Sequence, residues 1–210
     1  MENTRKVTCI ALDFDETLAF IDSSREEFFG TWEKRGVPKE IGEKAYKEIH
    51  DGEGFSYTGM KKALKNYGYD MDESFEKELW ARLEKGLRPF KEAKETIERW
   101  MNKCPVVVIT AGDDSFQKEK IQRTGFSHLP LIITKFRKKA EAIQTLLKKY
   151  GAPIVFIDDK ISELTSIKEA DFSKKDVILI LLDRAGKNKK SEFEAISSLD
   201  DSKLTKILGF

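Results

Sequence analysis

Residues 6–18 read KVTCIALDFDETL. The run Val7-Thr8-Cys9-Ile10-Ala11-Leu12 is short, β-branched and almost continuously apolar, the pattern of a strand buried on both faces of a parallel sheet. It stops at two aspartates, Asp13 and Asp15, one residue apart, with Thr17 two further on. Open α/β sheets keep their chemistry just beyond the carboxyl ends of the strands, and these acids are expected there. Two carboxylates so close repel each other unless a cation or a shared proton holds them. The pair therefore calls for a ligand.

Four further segments share the apolar, β-branched character: 105–110, 130–134, 153–157 and 176–182. Each predicts a strand. Between them, 137–150 sets Ala140, Ile143, Leu146, Leu147 and Tyr150 on one face at helical spacing, and Gly151 closes that helix. Residues 160–171 supply Ile161, Leu164 and Ile167 for another. The alternation from 105 to 183 predicts an α/β fold with a parallel sheet and right-handed crossovers.

The stretch 20–87 breaks this rhythm. It shows no strand but several amphipathic helices, such as 73–85 with Phe75, Leu79, Trp80 and Leu83 on one side. The expected organisation is a core domain of 1–19 plus 88–210, carrying 20–87 as an all-helical insertion after the first strand, placed as a lid. Phe28, Phe29, Trp32 and Trp80 are expected in the insertion's core, while Ser23 and Arg25 are candidates to face the site. Asp51-Gly52-Glu53-Gly54 reads as a turn, because the twelfth position from Asp51 is Lys62, where a calcium loop needs a bidentate glutamate.

Composition narrows the function classes. Thirty-eight basic residues face 37 acids across 210 residues, a net charge of +1, with no basic stripe to serve nucleic acid. The longest apolar runs, 106–109 and 177–182, fall far short of a bilayer span. The N-terminal MENTRK lacks the apolar core of a signal peptide. Cys9 and Cys104 fall at strand positions and are expected as buried free thiols. A cytoplasmic protein without a nucleic-acid or membrane partner is the expectation.

Four chemistry-bearing clusters fall at strand ends or at the starts of the following helices. They are Asp13-Phe14-Asp15-Glu16-Thr17, Thr110-Ala111-Gly112, the lysines Lys135, Lys138 and Lys139, and Asp158-Asp159. One sheet edge thus carries acids, a hydroxyl and an amine. In isolation Thr110 or Asp158-Asp159 would read as helix caps. Asp13 and Asp15 have no capping task at the end of a buried strand.

The order DxDxT, hydrophobic-Thr, Lys at a helix start and hydrophobic-Asp-Asp resembles the haloacid dehalogenase (HAD) superfamily, over nearly the whole chain. The resemblance implies a Rossmann-like parallel sheet flanked by helices and makes the insertion similar to a C1-type cap. It casts Asp13 as the nucleophile of a phosphoaspartyl intermediate and Asp15 as acid and base, an aspartate the dehalogenase branch lacks. Thr110, with the backbone of Ala111 and Gly112, and a lysine would hold the phosphoryl oxygens. Lys139, in Lys139-Ala140-Glu141-Ala142-Ile143, best matches the pattern, with Lys138 and then Lys135 as alternatives. Asp13, the Asp15 carbonyl, Asp159 and Asp158 would hold Mg²⁺, either of the last two being the direct ligand. Glu16 stands where many relatives carry glycine.

The implied activity is a Mg²⁺-dependent phosphatase acting on a small phosphorylated metabolite. A phosphomutase of the same superfamily is the alternative within that chemistry. A phospho-accepting signalling domain is the alternative outside it, although receiver domains place their acidic pair first and their acceptor aspartate on a middle strand.

Overall fold

The computed structural model describes residues 6–21, 30–50, 55–188 and 190–210. Ser23, Arg25, Phe28, Phe29 and the turn at 51–54 lie outside the described residues. The chain forms two compact units: Met1–Ala19, Pro89–Ala111 and His128–Phe210 make the first, Phe20–Arg88 and Gly112–Ser127 the second.

The first unit is built on a six-stranded parallel sheet. Its strands are β1 (Cys9–Leu12), β4 (Val106–Ala111), β5 (Leu131–Thr134), β6 (Ile154–Asp158), β7 (Val177–Leu182) and β8 (Glu194–Ile196), in the spatial order β5-β4-β1-β6-β7-β8. A short ribbon of β2 (Ala19–Ile21) and β3 (Leu87–Pro89) marks where the chain leaves and re-enters this unit. Apolarity explains the centre of the sheet: every residue of β1 and β6 is buried. Each such Ile or Leu contributes roughly 1.5–3 kcal/mol through lost contact with water.

Helices α4 (Ala93–Met101), α6 (Lys139–Tyr150), α7 (Ile161–Lys168) and α8 (Ser202–Leu208) belong to the same unit. Ala142, Ile143 and Leu146 of α6 pack with Leu164 and Ile167 of α7 against Cys9, Ala11, Val107, Ile154 and Phe156. Cys9 and Cys104 are buried free thiols, and burial, aided by the charge of Cys104, pushes the Cys9 thiol up to about 12.

Counted along the sheet's own strands, the order is 3-2-1-4-5-6, the doubly wound arrangement. The chain reverses its direction of winding between β1 and β6, and such sheets open a crevice at the carboxyl ends of the two strands there. Leu12 stands in register with Ile157, so Asp13 is level with Asp158 on either side of the crevice.

The second unit is helical: α1 (Lys39–His50), α2 (Tyr57–Asn66), α3 (Glu73–Gly86) and α5 (Asp114–Thr124). Trp32, Met60, Leu64, Phe75, Leu79 and Trp80 fill its core. Phe116 explains why 112–127 group here and not with the sheet. Its ring lies 5.0 Å from Phe55, 5.5 Å from Tyr57 and 5.2 Å from Trp80. Among the described residues no helix is long and apolar enough to cross a membrane.

Candidate active site

The first strand delivers Asp13 into the crevice. Its backbone N–H donates to the Ile157 carbonyl at 2.9 Å, extending the β1–β6 ladder by one residue. The chain then turns back, with the Leu18 N–H donating to the Phe14 carbonyl at 2.8 Å. The turn places Glu16 at φ +59°, a left-handed conformation uncommon outside glycine. Asp13 and Thr17 are buried, Asp15 is half-buried and Glu16 points to solvent.

Lys139 begins α6, where a lysine would ordinarily lie in water, yet only 2% of it is exposed. Its ammonium sits between two carboxylates, 2.6 Å from Oδ1 of Asp13 and 2.7 Å from Oδ2 of Asp158. The position is fixed from α7. The Glu163 carboxylate accepts the Arg137 N–H at 3.2 Å, and the Ser166 hydroxyl donates to the Arg137 carbonyl at 3.1 Å. Arg137 itself is left-handed, at φ +57°, so both sides of its peptide linkage are held just before Lys139. Lys138, by contrast, is exposed and reaches only Glu141, at 4.0 Å.

Asp158 is fully buried and uses both oxygens: Oδ2 on Lys139, and Oδ1 on the Lys160 N–H at 2.8 Å, at the start of α7. One residue thus both pairs with the lysine and fixes the turn that leads into α7. Asp159 differs. Its Oδ1 is buried without a hydrogen-bond partner, and such an atom carries the full desolvation cost. One carboxylate oxygen from each of Asp13, Asp158 and Asp159 lies within 4.8 Å of the others.

The electrostatics follow from three acids sharing one buried ammonium. Burial raises the Asp13 carboxyl to about 6; Lys139 opposes this, while Asp158 and Asp15 add to it. Burial, reinforced by Asp13 and Asp158, pushes Asp159 up to about 7. Burial would strip the proton from Lys139, but the charges of Asp13 and Asp158 outweigh it and hold the ammonium charged well above the usual lysine range. The exposed Lys160 is likewise held charged: desolvation lowers it, and Asp13, Asp159 and Asp15 more than reverse this. The cluster attracts a cation.

Thr110, buried near the end of β4, lies two residues past the register partner of Leu12. It is therefore on the same edge, and its carbonyl accepts from the Thr134 hydroxyl at 3.4 Å. Asp13, Asp15, Thr110, Lys139, Asp158 and Asp159 all belong to the first unit, whereas Gly112 falls in the second. The structure brings Asp13, Lys139, Asp158 and Asp159 into mutual contact range. Sequence reasoning passed over Glu163 and Arg184. An acid four residues after Asp159, and an arginine two residues past an apolar run, were the available signals.

A buried acid cluster with one lysine stands at the switch point of a doubly wound sheet, where such folds place their ligands. Residues 7–171 match the haloacid dehalogenase-like hydrolase family, and the chain belongs to it. Among curated proteins no sequence match is found. The fold is similar to that of a HAD phosphatase from Thermococcus onnurineus (18% identity, TM-score 0.67), covering 97% of this chain and 98% of that one. It is also similar to a 2-haloacid dehalogenase from Pseudomonas syringae pv. tomato (19% identity, TM-score 0.66; 97% and 98% covered). A third similar structure is the magnesium-bound HAD hydrolase YfnB from Bacillus subtilis (16% identity, TM-score 0.63; 98% and 100% covered).

Proposed function

We propose that the protein is a Mg²⁺-dependent phosphatase that hydrolyses a small phosphomonoester through an aspartyl-phosphate at Asp13. The observation that carries this reading is the charge imbalance of the buried cluster: three carboxylates, one ammonium and one unspent oxygen on Asp159. Oxygen donors in an incompletely closed set suit Mg²⁺. Asp13, Asp159 and the Asp15 carbonyl would hold it, with Asp158 committed to Lys139 and the α7 start. Bound there, Mg²⁺ supplies positive charge against the oxygens of the transferring phosphoryl group.

The residues divide the work. A carboxylate oxygen of Asp13 attacks phosphorus, forming the acyl-phosphate bond as the ester P–O bond breaks. Asp15 gives its proton to the departing oxygen, then takes one from water as that water attacks the same phosphorus and frees the Asp13 carboxylate. Lys139 orients Asp13 and offsets charge on the phosphoryl oxygens, with Thr110 donating to another. Asp15 supports phosphoryl transfer over carbon–halogen cleavage. The helical unit, entered directly after β1, is assigned as a C1-type cap that selects the leaving group.

The test is release of phosphate from an aryl phosphate and from a panel of metabolite monophosphates. Turnover is expected only with Mg²⁺ and is expected to fall at least about a thousandfold in Asp13→Asn. Activity that survives both chelation and Asp13→Asn would overturn the mechanism.

A further inference from the structure

Arg184 stands two residues beyond β7, on the same edge as the acid cluster but outside it. Each of its three nitrogens makes a hydrogen bond. Nη1 pairs with the Glu92 carboxylate at 2.6 Å, Nη2 donates to the Thr17 carbonyl at 2.9 Å, and Nε donates to the Glu16 carbonyl at 3.4 Å. Its Cζ lies 3.5 Å from the Phe90 ring centroid, and the Phe90 N–H donates to the Leu18 carbonyl at 3.0 Å. The Arg184 side chain and the Phe90 backbone therefore both hold the segment that follows Asp15.

That segment needs a grip. Glu16 occupies the left-handed region at φ +59°, where a Cβ is disfavoured and glycine is not. Relaxing Glu16 to an ordinary φ would swing the peptides on either side of it: the Glu16 N–H donates to the Ala19 carbonyl at 2.7 Å and holds the Asp15 side, while Arg184 holds the Glu16 and Thr17 carbonyls on the other. Two consecutive carbonyls held by one planar fork are a geometry that arginine provides and lysine does not.

We propose that Arg184 is a positioning residue: it clamps the 16–17 carbonyls, and through them Asp15, in the conformation that the non-glycine Glu16 would otherwise leave. The inference rests on the phosphatase reading for its kinetic consequence but not for its structural one. The clamp makes Glu16 tolerable at that position and couples the two residues energetically.

The experiment is a double-mutant cycle of Arg184→Met and Glu16→Gly, with Arg184→Lys alongside. Arg184→Met and Arg184→Lys are each expected to lower kcat about tenfold or more with little change in KM, because a displaced acid/base group impairs the chemical step more than binding. In the Glu16→Gly background the loss from Arg184→Met should shrink to about threefold or less, since glycine holds the turn unaided. Hydrogen exchange gives the second readout. The Thr17, Leu18 and Ala19 amides should exchange faster in Arg184→Met, those of β4 and β6 should not, and Glu16→Gly should restore protection. Equal kinetic losses in both backgrounds, full activity of Arg184→Lys, or unchanged loop exchange would overturn the clamp. A wild-type protein that releases no phosphate would overturn the proposed function alone, leaving the exchange experiment to decide Arg184.

Discussion

At the scale of single residues, Lys139 carries the most consequence. Among the described residues it is the one buried cation paired with Asp13 and Asp158, and removing one partner of a buried ion pair leaves uncompensated charge. Lys139→Met should lower turnover by about a hundredfold or more and destabilise the protein by about 3 kcal/mol at pH 8. The stability loss should be smaller near pH 5, where Asp13 and Asp159 can take up protons, and urea unfolding at the two pH values checks this. The sequence showed Lys139 by pattern but could not show its burial, because nothing in Lys135, Lys138 and Lys139 as letters says which faces the crevice. Position relative to the helix start decides: Lys139 turns inward and Lys138 outward. The division between Asp158 and Asp159 was equally hidden, since it depends on which carboxylate meets the Lys160 N–H.

Among the elements, α6 depends on how it ends as much as on how it packs. Gly151 closes it at φ +80° and ψ −169°, a conformation open in practice to glycine only. A Cβ there would meet nothing within 4 Å, so the cost of Gly151→Ala is all backbone, about 2 kcal/mol. The urea midpoint should fall by that amount divided by the m-value, which should itself be unchanged. This helix, its glycine and the five long strands were legible because their apolar periods and punctuation are local. The strand β8 was not: Glu194–Ile196 is three residues long and only Ile196 is buried, too brief for a period to register. β2 and β3 escaped for the same reason. The grouping of α5 with the helical unit was likewise invisible, because Phe116 finds its aromatic partners at 55, 57 and 80 only through the fold.

For the whole molecule, the acid cluster links stability to pH and metal. Asp13 and Asp159 hold their protons more tightly folded than unfolded, with folded values of about 6 and about 7 against an ordinary 3.8. The stability this lends is present in full below the ordinary value and is lost as pH rises through 6 and 7. Chelated protein should therefore melt at a lower temperature near pH 8 than near pH 5, and the rise in Tm on adding Mg²⁺ should be larger at the higher pH, because a bound cation favours ionised carboxylates. Thermal melts in chelator and in Mg²⁺ across that range check both statements, and Asp159→Asn should abolish most of the Mg²⁺ shift. The sheet order has a further consequence in time. Ile10 pairs with Val106 on one side and Val155 on the other, so the strand made early must wait for neighbours 96 and 145 residues later in the chain. Loops that long close slowly, and Asp13 cannot face Asp158 until β6 has paired with β1. Competence at the crevice is therefore a late event: until β6 docks, Asp13 stands at the end of β1 without Lys139 and Asp158 around it.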